Sequence, residues 1–277
     1  VRKPLIIILV FLSPIVLRAR GGNETQGARS LALGGASLTL SDEWSPTNNV
    51  GSIGMVDRYS IGLGYETCFF LPEAGLRSVS AVLPLGGGSL GIVGHNYGFA
   101  GFANNRVGLS YGRKLSDYIS LGVGVNYVQT RLGDVYGSRS NVVGEVGMLV
   151  MPSDKIVLAA KVYNPTRSKL ADFNDERIPT VLSVAGQYMF SDKVSAMSEI
   201  EKDIDLPVNL KSGIEYSPAE EIFIRVGFAT LQTSLGFGVG YKWKDLQADV
   251  SANWNQNLGY SSAISIAYRF GNRKKQE

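Results

Sequence analysis

The sequence predicts an all-β protein, a transmembrane antiparallel up-and-down β-barrel of about 14 strands with a small N-terminal segment folded into its lumen. Three observations lead there. Apolar and polar residues alternate with period two from Gly54 to Phe270. The connections between the alternating runs are short and long in turn, and aromatic residues gather beside the short ones.

The first 57 residues stand apart from this pattern. "VRKPLIIILVFLSPIVLRAR" places Arg2 and Lys3 before an apolar run from Pro4 to Leu17. At about 14 residues the run is short for a spanning helix, which needs roughly 20, and it has the charged start of a secretory signal. Residues 1–20 are therefore expected to be a signal peptide, the alternative being an uncleaved anchor, 21–57 a hatch or plug, 58–270 the barrel, and 271–277, "GNRKKQE", a solvated basic tail. The expected location is the bacterial outer membrane, with membrane lipid as the first partner.

The wall strands follow in order. Alternating runs lie near 59–70, 76–83, 88–97, 105–114, 118–131, 141–151, 156–163, 180–190, 194–202, 207–216, 222–230, 233–243, 246–254 and 262–270. In "LQADVSANW", Leu246, Ala248, Val250, Ala252 and Trp254 share one face, and Gln247, Asp249, Ser251 and Asn253 the other. Most runs have roughly 9 to 11 residues, which is what a tilted strand needs to cross a bilayer. "PLGGG", "KLSDY", "MPSDK", "FSDK", "YSPAEE" and "WKD" are tight turns after every second strand, whereas "FLPEAG", "GFAGFANN", "GDVYGSRS", "NPTRSKLADFNDERIP" and "NQNLGYS" are longer. In outer-membrane barrels the short turns are periplasmic.

Alternation alone fits a soluble sandwich equally well, so the polar face has to decide. It carries Glu66, Arg106, Glu145, Lys161, Glu215 and Arg225, together with Glu199, Lys211, Asp249 and Arg269. In a sandwich these would face water. In a membrane barrel they are candidate lumenal charges of mixed sign, able to pair across the interior. Tyr111, Tyr118, Phe190, Tyr216, Tyr241, Trp243 and Phe270 lie beside the tight turns and would form a girdle at one interface. Barrel closure would also remove the exposed edges of a long meander.

Composition narrows the functional classes. Of 277 residues, 44% are hydrophobic and only 18% charged, with 33 glycines, a low-charge and glycine-rich balance. A net charge of +3 from scattered basic residues gives no reason to expect nucleic acid. One cysteine, Cys68, and one histidine, His95, leave no disulfide framework within the chain and no Cys/His metal centre, and no cofactor is expected. "LGGGSLG" has the glycines of a phosphate loop without its Lys-Ser/Thr ending or a following helix, and reads as a hairpin. A Ser–His pair at His95 is the weakest reading, since a lone strand histidine is usually a polar wall residue, so no enzyme is expected.

The hatch carries a resemblance. "GARSLALGGASLTLSDEWSPTNN" is similar to the N-terminal signature of the PorV and PorQ proteins of type IX secretion, distant relatives of the FadL channels. Gly27, Ala28, Arg29, Gly34, Gly35, Ala36, Asp42 and Asn49 fit that pattern, whereas its Asn-Pro-Ala step is missing, Asn49 being followed by Val50 and Gly51. "RIPTVLSVAGQYMFSDKV" and "DLPVNLKSGIEYSPAEEIFIRVGF" resemble the family's later half, with Gly213, Glu215, Tyr216, Arg225 and Gly227 in matching places. Read physically, Gly34 and Gly35 allow positive φ or close backbone approach, and Asp42 and Asn49 can accept from backbone amides in turns. A structural role for these four hatch residues is favoured over ligand contact, and Glu215 with Arg225 forms a plausible lumenal pair.

The resemblance implies a fourteen-stranded barrel that assists type IX secretion by positioning cargo or partners. Loop 164–179, the longest connection, is then the candidate contact, through Arg167, Lys169, Asp172, Asp175, Glu176 and Arg177, although an ordinary solvated outer loop is the favoured reading of its charges. The alternative is a FadL-like passive channel for a hydrophobic or small solute, with residues 27–54 as its hatch.

Overall fold

The computed structural model describes residues 25–68, 75–99, 101–132, 137–168, 178–231, 233–257 and 259–271. Two short helices, α1 (Ala28–Ala32) and α2 (Ser45–Asn48), and a 3₁₀ segment (Val50–Met55) precede the wall. Its strands are β1 (Tyr59–Thr67), β2 (Gly75–Leu85), β3 (Gly88–Phe99), β4 (Phe102–Ser116), β5 (Ile119–Leu132), β6 (Ser138–Ser153) and β7 (Ile156–Tyr163). They continue with β8 (Val181–Ser191), β9 (Val194–Asp203), β10 (Asn209–Ala219), β11 (Ile222–Ala229), β12 (Ser234–Trp243), β13 (Leu246–Asn255) and β14 (Gly259–Phe270). Each strand pairs antiparallel with its sequence neighbours, and β14 returns to β1, closing the barrel.

The period-two pattern determines which side is which. On β13, Val250 is 55% exposed while its neighbour Asp249 is 3% exposed, and Val250 stands in register between Val239 of β12 and Ile264 of β14. The same outward row of Val, Leu, Ile and aromatic side chains runs round the whole wall. A monomeric soluble protein does not expose an apolar band of that extent, so this is the lipid-facing belt of a membrane-spanning barrel. The soluble sandwich is thereby excluded: the apolar faces point away from the centre.

Aromatic residues stack where the belt meets the tight turns. Tyr59 and Phe270 have ring centroids 5.5 Å apart across the closing seam, and Tyr188 and Phe190 meet edge to face at 4.9 Å. Arg58 fastens the same seam, donating to Asp245 at 2.6 Å and to the Arg269 carbonyl at 3.1 Å. Register shifts occur beside the tight turns that follow β4, β6, β8 and β10, where an extra residue bends the strand into the turn.

Strand lengths depart from the expected 9 to 11 residues on one side. β4 and β6, expected over 105–114 and 141–151, have 15 and 16 residues, while β5 has the 14 residues of its expected run. The surplus lies at the end of the long connections, where outward positions turn polar: Arg77 donates to Asn96 at 3.1 Å, Asn96 donates to Asn105 at 2.6 Å, and Tyr127 donates to Ser140 at 2.8 Å. These hairpins go on pairing beyond the apolar belt, so bilayer thickness does not limit them.

Placing an arginine on the belt at Val250 should destabilise the barrel by about 2–4 kcal/mol, the cost of a cation at bilayer mid-depth. Reversible unfolding from lipid vesicles is the measurement. A much smaller loss would mean that Val250 does not face lipid.

Candidate functional site: the plugged lumen

Residues 26–55 fill the interior and are almost all buried. The wall receives them on two opposite glycine saddles. On β5 and β6, Gly122 and Gly147 lie against the backbone of Val50 and Gly51; on β10 and β11, Gly213 and Gly227 lie against the backbone of Leu33 and Gly34. A Cβ at any of these wall positions would collide with hatch main chain. Gly34 itself has φ +69, and its missing Cβ would fall on the Phe228 backbone. The hatch occupies the room that the wall glycines leave inside. Trp44 is accommodated in the same way, its indole lying where Cβ atoms of Gly27, Gly62 and Gly64 would be.

Polar side chains fasten what the glycines admit. A closed chain of contacts begins and ends on adjacent hatch residues. Asp42 pairs with Arg29 at 3.3 Å, and Arg29 grips Glu215 with two contacts at 2.7 and 2.9 Å. Glu215 accepts from Arg225 at 2.6 Å, and Arg225 donates to Asp249 at 2.5 Å. Gln247 donates to Asp249 at 2.9 Å and accepts from Arg269 at 3.1 Å, and Arg269 returns to the hatch by pairing with Glu43 at 2.9 Å. Across the lumen, Arg106, Asn126 and Glu145 bond one another, and Lys161 lies 3.6 Å from Glu145 while donating to the carbonyls of Thr47 and Asn48 at 2.8 and 3.2 Å. A third set joins Lys211 to Glu199 and Glu201, and Glu199 accepts from the hatch amides of Ser37 and Leu38 at 3.0 and 3.1 Å.

The hatch residues singled out in the sequence act locally. Asp42 accepts from the Trp44 amide at 3.0 Å and Asn49 from the Gly51 amide at 2.9 Å, while Asn49 also donates to the carbonyls of Leu38 and Met148. Gly35 has φ +82. Arg106, Glu145, Lys161, Glu215 and Arg225 all face the lumen in the networks above, and Glu66 is buried on the same face of β1. His95 is hydrogen-bonded to Thr47 of the hatch at 3.1 Å. Of the outer-loop set, Arg167 is described and adopts φ +52; Lys169, Asp172, Asp175, Glu176 and Arg177 lie outside the described residues, as do the expected signal segment 1–20 and tail residues 272–277.

Arg29, Glu43 and Gln247 were not singled out as charge or hydrogen-bond partners. The available signal was the presence of Arg29, Asp42 and Glu43 in an otherwise uncharged stretch of small residues, which in a buried plug requires partners on the wall.

Three apolar clusters complete the interior. One joins hatch residues Leu33, Ala36 and Leu40 to Met197, and another joins hatch residues Val50 and Ile53 to Val82. The third, Val128, Val143, Tyr163, Ile178 and Val181, contains no hatch residue. Between hatch and wall lies a polar cavity of about 10 Å³, lined by Thr47, Lys161, Ser183 and Glu199 among others, room for a single water.

No protein-family model and no curated protein matches this sequence. Solved structures do. The toluene transporter TodX of P. putida superposes with a TM-score of 0.67 at 13% identity, covering 90% of this chain and 99% of that one. The CymD monoaromatic hydrocarbon channel gives 0.70 at 13% identity over 89% and 98%, and a FadL homologue of Pseudomonas aeruginosa gives 0.64 at 14% over 90% and 98%. This chain has their fold. At such identities the likeness concerns architecture, and it extends over nearly the full length of all three proteins. It does not reach PorV or PorQ in particular.

Two substitutions test the plug. Gly227→Val should drive Leu33 and Gly34 off the wall, giving protease cleavage within residues 26–55 and a red-shifted Trp44 emission while the heat-resistant barrel persists. Glu215→Ala leaves Arg29 of the hatch and Arg225 of the wall without their shared partner, and should weaken hatch docking by about 3–5 kcal/mol, the usual loss on breaking a buried pair. Hatch cleavage measured against urea concentration reads that loss.

Proposed function

We propose that this chain is a bacterial outer-membrane channel providing a passive route for hydrophobic or small solutes, with the tight turns toward the periplasm. The observation that carries the proposal is a hatch threaded through a fourteen-stranded lipid-facing barrel, an architecture similar to those of the hydrocarbon channels TodX and CymD over almost their whole length. The polar fastening of the hatch supports it as well. Ion pairs and amide–carboxylate bonds can be exchanged for water at little net cost, so such a plug can shift without unfolding the wall. The role is one of passage and involves no catalysis.

One observation favours a second reading. Among the described residues the hatch fills the lumen closely, as suits a barrel that holds partners or cargo at the membrane, the docking role implied by the resemblance to PorV and PorQ. The channel reading has the broader support, because it accounts for both the hatch and the fold.

Uptake of radiolabelled toluene and of a labelled long-chain acid, by cells with a lipopolysaccharide outer leaflet that express this chain, tests the proposal. Uptake should rise several-fold over cells lacking it. No rise for either probe, together with co-purification of secretion components from solubilised envelopes, would favour docking instead.

A further inference from the structure

The third apolar cluster is packed without any hatch residue. Its strand residues form a tier. On β5, β6, β7 and β8, Val128, Val143, Tyr163 and Val181 each lie two residues nearer the long connections than Asn126, Glu145, Lys161 and Ser183. Those four polar residues form the layer that meets the hatch, two of them lining the small polar cavity. An apolar tier thus sits directly on a polar one, on the side of the hatch facing the long connections.

Tyr163 carries the second observation. Its side chain is fully buried, and its hydroxyl has no hydrogen-bond partner among the described residues. The Arg106 guanidinium and the Lys161 ammonium lie 5.5 and 5.9 Å from the ring centroid, so the ring is held in place by cations that leave its hydroxyl unused. A buried, unsatisfied hydroxyl is costly, and nothing in the packing of four aliphatic side chains requires one. Ile178 is the only cluster member that is not on a strand, and its carbonyl is tied to Asn164 at 2.8 Å.

We infer that this tier is a solute seat selective for a compact apolar molecule bearing one hydrogen-bond-accepting oxygen. The solute's body replaces the Ile178 side chain among Val128, Val143 and Val181, and its oxygen accepts the Tyr163 proton. This rests on the channel reading and narrows its solute class: the seat distinguishes an aromatic ketone from a bare aromatic hydrocarbon.

Equilibrium binding of radiolabelled acetophenone and toluene to the full chain in lipid nanodiscs tests the seat. Tyr163→Phe keeps the ring and removes the hydroxyl; it should weaken acetophenone about three- to tenfold and leave toluene within about twofold. Ile178→Ala should tighten both probes by vacating the seat. Equal weakening of both probes by Tyr163→Phe, or no change in either, overturns the assignment, as does an Ile178→Ala chain that binds neither probe more tightly. Retention of the heat-modifiable barrel band verifies folding of each variant. Selective binding without cellular uptake would sink the channel reading alone; uptake with binding that ignores Tyr163 would sink the seat alone.

Discussion

A sheet immersed in hydrocarbon has no water to satisfy the amides of an edge strand, and the pairing of β14 with β1 is what makes every other feature of this molecule possible. Closure fixes which residues meet lipid. Once Ile61 faces Tyr268 and Leu63 faces Ile266 across the seam, the strict period of two sends the intervening residues inward on every strand. The interior must then be made from what is left, which here is mostly glycine, serine and charged side chains, with a few buried apolar residues such as Val82 and Val143.

That interior poses a second problem, since a lumen lined by ions of both signs is stable only if each ion finds a partner or water. The closed contact chain from Asp42 through Glu215, Asp249 and Arg269 back to Glu43 solves it by using the hatch as half of the circuit. Buried pairs of this kind roughly break even against desolvation, so their contribution is to position more than to net stability. The hatch can sit in one orientation, because Arg29 and Glu43 would otherwise each be buried unpaired. The glycine saddles work in the same direction. Each strand glycine costs roughly 0.5–1 kcal/mol relative to alanine, and what offsets that cost is backbone approach at Leu33 and Val50 that no side chain would permit.

The wall was legible in the sequence and the plug's fastening was not, for different physical reasons. Alternation is a local signal, repeated in every strand, and runs such as Leu246 to Trp254 announce both their face and their length. The extra residues of β4 and β6 were missed, whereas the length of β5 was read, because hairpins that pair beyond the bilayer lose the apolar half of the pattern at Asn105 and Ser140. Helices of five and four residues, such as Ala28–Ala32 and Ser45–Asn48, show no helical period at all. They are held by Ser265, by Lys161 and by the glycine saddles, residues far away in the chain. Arg29 and Glu215 are 186 positions apart, and only closure of the barrel brings them together.

The two faces of the wall also differ in what they tolerate, and this bears on the proposed passage through a plugged barrel. Outside, lipid accepts any apolar shape, so Val, Leu, Ile and aromatic residues interchange freely along the belt. Inside, the contacts that seat the hatch are of two kinds with opposite responses to water. Apolar contacts such as Leu33 with Met197 lose free energy in proportion to the area that water reaches, whereas the carboxylate–arginine and amide–carboxylate contacts recover most of their energy from the water itself. A hatch fastened chiefly by the second kind moves against a smaller barrier than one of the same size buried as a hydrocarbon core. The polar interior therefore fixes the plug in place at a lower cost of displacement than an apolar core would set.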